Sequence, residues 1–312
     1  MMNLDTFCPE GKLLNTPANI KKMSSPISLA EAQAKGDILE GVVLMCDAEH
    51  NLIVDLGCMK GIIPRNEGAI GIEDGTVRDI ALITRVGKPV SFIINKIRTG
   101  SSGKLYAELS RLGAQTKCLE QFLSLKPNGS VIDAKVTHLE NFGAFCDIGC
   151  GIIALLPIDA ISVSRISHPK DRFAVGDDIK VIIKSVANDG RITLSHKELL
   201  GNWQENAENF KEGQTVSGIV RSVESYGVFV ELSPNLAGLA EPKEGAEPGM
   251  QTSVYIKSII PEKMKVKLII IDSFWGERVN TVKYFFNNDY MDIWRYSPEN
   301  CHKNIFTDFT AQ

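Results

Sequence analysis

The sequence predicts an all-β chain: a row of small five-stranded barrels joined by short helical linkers. Two observations carry that expectation. The block GSVIDAKVTHLENFGAF, from Gly129 to Phe145, aligns without a gap on GQTVSGIVRSVESYGVF, from Gly213 to Phe229, and internal repetition marks a chain of similar modules. Each copy is followed by further short apolar segments separated by Gly, Asn, Asp and Lys turns, a spacing that suits strands.

Residues 1–34 mix Pro9, Pro17 and Pro26 with Asn, Ser and Lys, show no sustained period, and read as a flexible arm with a short helix at LAEAQAK. Residues 35–110 hold GDILEGVVLMC, NLIVDLG, KGIIP, PVSFIINKI and KLYAELS, the strand set of a first barrel. Residues 111–128 read as a helical linker carrying Leu112, Cys118, Leu119, Phe122 and Leu123. The second barrel, 129–197, is built from VIDAKVTHLE, GAFCDI, GIIALLP, DIKVIIKSV and RITLSHK, with the long connection DAISVSRISHPKDRFAVGD before its fourth strand. A second helical linker, 198–212, carries Leu199, Trp203 and Phe210. The third barrel, 213–273, gives TVSGIVRSV, GVFVEL, AGLAEP, TSVYIKSII and KVKLIIID, with only KEGAEPG as the matching connection. Residues 274–312 form an aromatic-rich extension in which RVNTVKYFF reads as an added strand and NDYMDIWRY as a helical turn or two. So many rings are expected to pack on the third barrel, with a partner or dimer surface as the alternative.

The composition is that of an ordinary globular protein, with 44% hydrophobic and 23% charged residues. A net charge of -4 argues against a surface that holds nucleic acid by charge alone, so any such contact is local and leans on stacking. Seven cysteines are an odd number, several lie in strand-like runs, and they read as reduced thiols. Cys146 and Cys150 have no second Cys or His pair at zinc-site spacing, so no metal or cofactor is expected. No apolar run reaches membrane-spanning length, and MMNLDTFCPEGKLLN does not read as a signal peptide; a cytoplasmic location without membrane attachment is the expectation.

Strand alternation picks out a binding face. Ala144, Cys146 and Ile148 share one side of their strand and suit a core, which leaves Phe145 and Asp147 outward. In the third barrel Val228, Val230 and Leu232 point in, and Phe229 and Glu231 point out. In the last strands Ile192 and Leu194 point in beside outward Arg191 and Thr193, while Val266 and Leu268 point in beside outward Lys265 and Lys267. Each barrel thus offers a ring pair near a cation: Phe142 and Phe145 with Arg191, then Tyr226 and Phe229 with Lys265 and Lys267. Bases have flat faces and a charged backbone, so rings beside cations hold a single strand with little sequence demand. The first barrel puts His50 and Ile53 at the ring positions, and is expected to bind RNA poorly or to bind protein instead.

VTHLENFGAFCDIGCGIIALLP, the HP of the long loop, and the closing GRITLS resemble the S1 RNA-binding domain family, oligonucleotide-binding (OB-fold) barrels of the kind repeated in bacterial ribosomal protein S1. The likeness spans roughly residues 36–272, is strongest in the second barrel, and extends to GIVRSVESYGVFVELSPNLAGLAEP in the third. It implies that Phe142, Phe145 and Arg191, then Tyr226, Phe229 and Lys265, contact RNA; His168 of the long loop is a candidate for a separate contact, with a structural or merely exposed histidine as the alternative. The family's His at the end of the third strand is replaced by Pro64, Pro157 and Glu241 in the three barrels, and Glu241 would repel a phosphate.

No catalytic pattern stands out. There is no Walker phosphate loop, no G-x-S-x-G elbow and no His-Glu-x-x-His helix, and the five histidines are scattered. The leading expectation is a non-enzymatic, translation-related binder of single-stranded RNA or mRNA. The small ribosomal subunit is an expected partner, with a protein partner or self-association through the first barrel or the aromatic tail. The alternative is a structural adaptor whose rings are covered and barely touch RNA.

Overall fold

The computed structural model describes residues 6–101, 103–276 and 282–310. The chain divides into two units, Met1–Lys126 with Asp147–Ile153, and Pro127–Cys146 with Ala154–Gln312. Among the described residues the longer strands close three five-stranded barrels of one topology, in which the third and fifth strands run parallel and all other neighbours antiparallel.

The first unit opens with α1 (Pro17–Met23) and α2 (Pro26–Lys35). Thr16 and Ser25 cap them by accepting the N–H groups of Asn19 and Ser28, a proline occupies each first turn, and Gly36 ends α2 in the left-handed region at φ 63. Leu29 and Ala32 are sealed in the core of the first barrel, so residues 17–34 of the segment read as a flexible arm are largely helical and docked. Its anchors are mainly polar, which is why no apolar period announced it. Asn19 exchanges two hydrogen bonds with the backbone of Glu40, and the buried Glu40 carboxylate accepts from the N–H groups of Gly11, Leu13 and Leu14.

The barrel itself consists of β1 (Leu39–Cys46), β2 (Leu52–Asp55), β3 (Lys60–Ile63), β4 (Pro89–Thr99) and β5 (Leu105–Ser110), with the single turn α3 (Ile80–Ile83) in its long connection. Leu39, Val43, Leu52, Val54, Ile63, Phe92 and Leu109 fill it. Then α4 (Arg111–Gln121), capped by Ser110, buries Ala114 and Cys118.

Asp147 corrects an expectation. Alternation turns it away from its own barrel, yet it is buried: its carboxylate accepts from the N–H groups of Glu10, Gly149 and Gly151. Burial, with Glu10 close by, lifts that carboxyl to about 7 against these donors and Arg111. Arg111 in turn donates from Nε and Nη2 to the two oxygens of Glu10, at 2.7 and 3.1 Å.

The second unit holds two barrels. One comprises β6 (Val131–Glu140), β7 (Gly143–Asp147), β8 (Ile153–Pro157), β9 (Asp178–Val186) and β10 (Ile192–Ser195). After α5 (Trp203–Ala207) the other comprises β11 (Thr215–Glu224), β12 (Gly227–Ser233), β13 (Leu236–Ala240), β14 (Gln251–Ile260) and β15 (Lys265–Phe274). A small residue sits where the third strand crosses the fifth: a Cβ on Gly61 would meet Leu109 at 2.4 Å, and one on Gly238 would meet Leu268 at 2.6 Å. Ala154 takes this place in the second barrel.

Glu231 is the counterpart of the Asp147 correction. It faces away from the third barrel, but the long loop of the second barrel covers it, and only 4% of it is exposed. Arg172 from that loop and Arg221 from β11 both bond its carboxylate, and Arg221 lies 3.7 Å from Asp171. Around this cluster Val163 N–H donates to the Asn235 side chain and Ser164 N–H to the Pro234 carbonyl. Leu232, expected inward, is half-buried because β12 shifts register between Glu231 and Ser233.

The tail differs from its sequence reading. Residues 278–281 of RVNTVKYFF lie outside the described residues, and 282–286 form no strand. In place of a helical turn in NDYMDIWRY there is β16 (Ile293–Arg295), paired antiparallel with β17 (Phe306–Asp308). Trp294 alone of those three residues is buried, an alternation of two rather than of 3.6. Met291, Trp294, Tyr296 and Phe309 join the core cluster of the third barrel, and the Tyr296 hydroxyl donates to the Asn235 carbonyl at 2.6 Å.

A buried relay fixes the start of this tail. Tyr284 Oη accepts from Lys180 N–H at 3.0 Å and lies 3.4 Å from His196 Nε2, while His196 Nδ1 lies 2.9 Å from the Ile161 carbonyl. A neutral ring serves both contacts, donating from Nδ1 and accepting at Nε2. Burial lowers His196 from 6.5 to about 4. The unfolded chain therefore takes up this proton first as pH falls, so the contribution is complete above about pH 6.5 and lost between about 6.5 and 4. That loss amounts to about 3 kcal/mol. Denaturant midpoints followed by tryptophan fluorescence, which reads the second unit through Trp203 and Trp294, should fall across this window, and His196→Asn should flatten the fall.

Candidate nucleic-acid interface

The two copies of the repeated phrase build the same object. In the second barrel the rings of Phe142 and Phe145 meet edge to face, with centroids 5.9 Å apart and planes at 89°. In the third, Tyr226 and Phe229 do so at 6.3 Å and 89°. Phe142 is 56% exposed and Tyr226 64%, while Phe145 and Phe229 are half-buried, so each pair has an outer ring in solvent and an inner one seated on the sheet. The seat is made by alternation, because Ala144 and Cys146 beside Phe145, and Val228 and Val230 beside Phe229, are fully buried. An edge-to-face pair leaves a ring face open on which a base can stack.

Cross-strand register shows what surrounds the inner ring. Phe229 pairs with Leu239, and Leu239 with Lys267, a row running over three strands of the outer face. The same row in the second barrel continues from Leu155 to Thr193, and in the first barrel it runs Ile53, Ile62, Glu108. Lys265 stands two residues before Lys267, one pleat or about 7 Å along the strand, and both lysines are exposed. Arg191 holds the same place in the second barrel, with its side chain 84% exposed and its Nε 2.7 Å from Asp189. The Arg191 N–H, then its guanidinium, hold the Asp189 carboxyl below the usual carboxylate range.

His168 is not part of this constellation. It lies half-buried in the long loop, where its Nδ1 accepts the Lys170 N–H at 3.0 Å and caps the short turn Pro169–Asp171. Among the described residues no ring contact joins it to Phe142 or Phe145. Glu241, at the end of β13, is exposed and partnered by Lys257 at 3.5 Å.

One ring on this face is marked neither by the repeat nor by the ring-Gly-x-Phe turn. His138 on β6 lies with its ring centroid 6.2 Å from that of Phe145 and its plane tilted 30° to it, its side chain 62% exposed. The matching residue of the third barrel is Ser222, which pairs with Phe229.

The first barrel keeps the scaffold without the rings. Ile53 is half-buried, His50 sits in a left-handed turn at φ 63, and Glu108 at the end of the row bonds Arg98 at 2.6 Å. Leu44 and Met45 are exposed on its first strand. Among the described residues no group of three or more His, Cys, Asp or Glu is placed to hold a metal ion, and no helix is long and apolar enough to cross a membrane.

Residues 126–197 match the S1 RNA binding domain. The chain is 35% identical over 191 residues to small ribosomal subunit protein bS1 of Staphylococcus aureus, covering 55% of this chain and 49% of that protein. It is 30% identical over 257 residues to the small ribosomal subunit protein bS1 homolog of Bacillus subtilis, covering 81% of this chain and 62% of that one. Against bS1 of Staphylococcus epidermidis the identity is 37% over 238 residues, covering 70% and 57%. The chain thus spans about half the length of the Staphylococcus aureus relative.

Proposed function

We propose that this chain, built of tandem S1-type OB-fold barrels homologous to those of bacterial ribosomal protein bS1, binds single-stranded RNA across its second and third barrels. The observation that carries the reading is the repeated ring pair, set at 89° in both barrels with the outer ring in solvent. Phe142, Phe145, Tyr226 and Phe229 stack on bases, and Arg191, Lys265 and Lys267 stand near the backbone. His168 acts through the shape of the long loop. Binding to messenger RNA in translation, in the cytoplasm and alongside the small ribosomal subunit, is the setting that the names of the relatives support. The protein acts by holding RNA, not by chemistry on it.

The first barrel has a different task. With Ile53 and Ile62 in the row and Leu44 and Met45 exposed, its face favours contact with protein over contact with bases.

Titration of the chain with labelled single-stranded RNA, against a duplex of the same sequence, tests the reading. Saturable binding that prefers the single strand is the expected result, with weak sequence preference. Stacking carries much of the affinity in an acidic chain, so the log–log salt slope should be shallower than about -4, the value for about six phosphate contacts on a single strand. No saturable binding, or a steeper slope with equal affinity for duplex, would overturn it.

A further inference from the structure

Granted RNA binding at the two ring pairs, what surrounds them assigns different contacts to each barrel. In the second barrel a third ring, His138, stands beside Phe145 at 6.2 Å and 30°. At the matching place in the third barrel is Ser222, which has no ring. The charges differ in the opposite sense. The row of the second barrel ends in neutral Thr193, and its hairpin carries Asp189 beside Arg191, which cancel. The row of the third barrel ends in Lys267, and its hairpin carries Lys263 and Lys265 against Glu262 alone. Among the described residues neither Lys265 nor Lys267 has an ion-pair partner, and Lys257 offsets the nearby Glu241.

We propose that the second barrel grips the bases on a three-ring surface completed by His138, and that the third barrel carries the phosphate contacts through Lys265 and Lys267. An imidazole stacks on a base as a phenyl ring does, and His138 keeps its ring beside Phe145 while its Nε2 meets the Glu140 carboxylate at 2.7 Å. A lysine meets a phosphate as a point charge and releases counterions when it does. The Asp189–Arg191 pair is too exposed to be strong, but its summed charge is zero whether it is closed or open, so it adds little to the backbone contact. RNA crossing from the second barrel to the third therefore passes from a surface that stacks on three rings to one that stacks on two and neutralises phosphates.

The test is fluorescence anisotropy of the full chain with a labelled oligouridylate and with an abasic oligomer of the same length, across a salt series. His138→Ala should weaken oligouridylate binding roughly three- to ten-fold at every salt concentration, and His138→Phe should restore it. Lys265→Gln with Lys267→Gln should lower the magnitude of the log–log slope by about 1.4, two phosphate contacts on a single strand, and remove most binding of the abasic oligomer. Arg191→Gln should lower the magnitude of the slope by less than Lys265→Gln alone does, because Asp189 already offsets Arg191. The division is overturned if Arg191→Gln flattens the slope as much as Lys265→Gln alone, or if His138→Phe binds no better than His138→Ala. Absence of binding by the unaltered chain would instead remove the RNA reading itself, and the division with it.

Discussion

Replacing Phe145 and Phe229 together by alanine is expected to weaken binding of single-stranded RNA by about 30-fold at the least and by about 10⁴-fold at the most. Each stacked base is worth roughly 1–3 kcal/mol by alanine substitution, so two add to about 2–6. The inner rings are the right target because they seat the outer ones: Phe142 leans on Phe145, and Tyr226 on Phe229, with centroids 5.9 and 6.3 Å apart. Losing one inner ring frees its partner to swing, so both faces of the platform are lost. Volume and ring character separate cleanly here. Leucine at both positions keeps most of the apolar contact and should bind nearly as poorly as alanine. Tyrosine at both keeps the ring and should retain most of the affinity, as the natural use of Tyr226 suggests. The half-buried positions of both rings make a stability cost smaller than that of a core deletion, and a denaturation curve measured alongside separates the two effects. Unchanged affinity in the alanine variant would leave the adaptor reading in place.

The ring faces were readable in the sequence because two independent regularities meet there. Alternation says which side of a strand faces the barrel, and the repeat says the same ring returns at the same place. Both are local, and they locate Phe145 and Phe229 without any knowledge of neighbours. Asp147 and Glu231 show where this stops. Alternation turned them outward, and outward they are, but the outer side of each is covered by residues distant in sequence, Glu10 for one and Arg172 for the other. A period of two sorts side chains between two faces and says nothing about what lies on the far one. His138 was hidden for the converse reason: it has no ring at its counterpart, so a search for what repeats passes over it. The tail resisted because its order comes from packing. Trp294 and Tyr296 are fixed by the third barrel and by the Asn235 carbonyl, neither of which leaves a mark on the segment itself.

Differences between the barrels carry more functional information than their likeness. The common strand order only guarantees that three outer faces exist. The rows of the second and third barrels end in Thr193 and Lys267, a neutral and a basic margin, while Glu108 at the end of the first is bonded by Arg98, and only the last two faces carry ring pairs. On the reading proposed above, the two ring-bearing faces differ in the kind of contact they offer to single-stranded RNA.

The largest loss of stability is expected from Glu231→Ala. Its carboxylate accepts from Arg172 and from both Nε and Nη2 of Arg221, and all three side chains are almost wholly out of solvent. Burial already presses Arg172 below its usual range, and the attraction of Glu231 is what opposes it. Removing the carboxylate leaves two guanidinium groups in a confined site with Asp171, 3.7 Å from Arg221, as the remaining nearby anion. Breaking a buried pair from one side costs about 3–5 kcal/mol, far more than the net worth of the intact pair, because the orphaned charge is stranded. At about 1–3 kcal/mol per molar urea this lowers the midpoint of the second unit by roughly 1 M or more. Glu231→Gln should be nearly as harmful despite its shape, since it cannot neutralise either arginine, whereas Glu244→Ala on the exposed connection should change little. Combining Glu231→Leu with Arg172→Met, with Arg221 kept beside Asp171, should recover much of the loss, because the penalty comes from unpaired charge and not from missing volume. A midpoint for Glu231→Ala equal to that of the unaltered chain would mean that water reaches this cluster and that the second and third barrels are not joined through it.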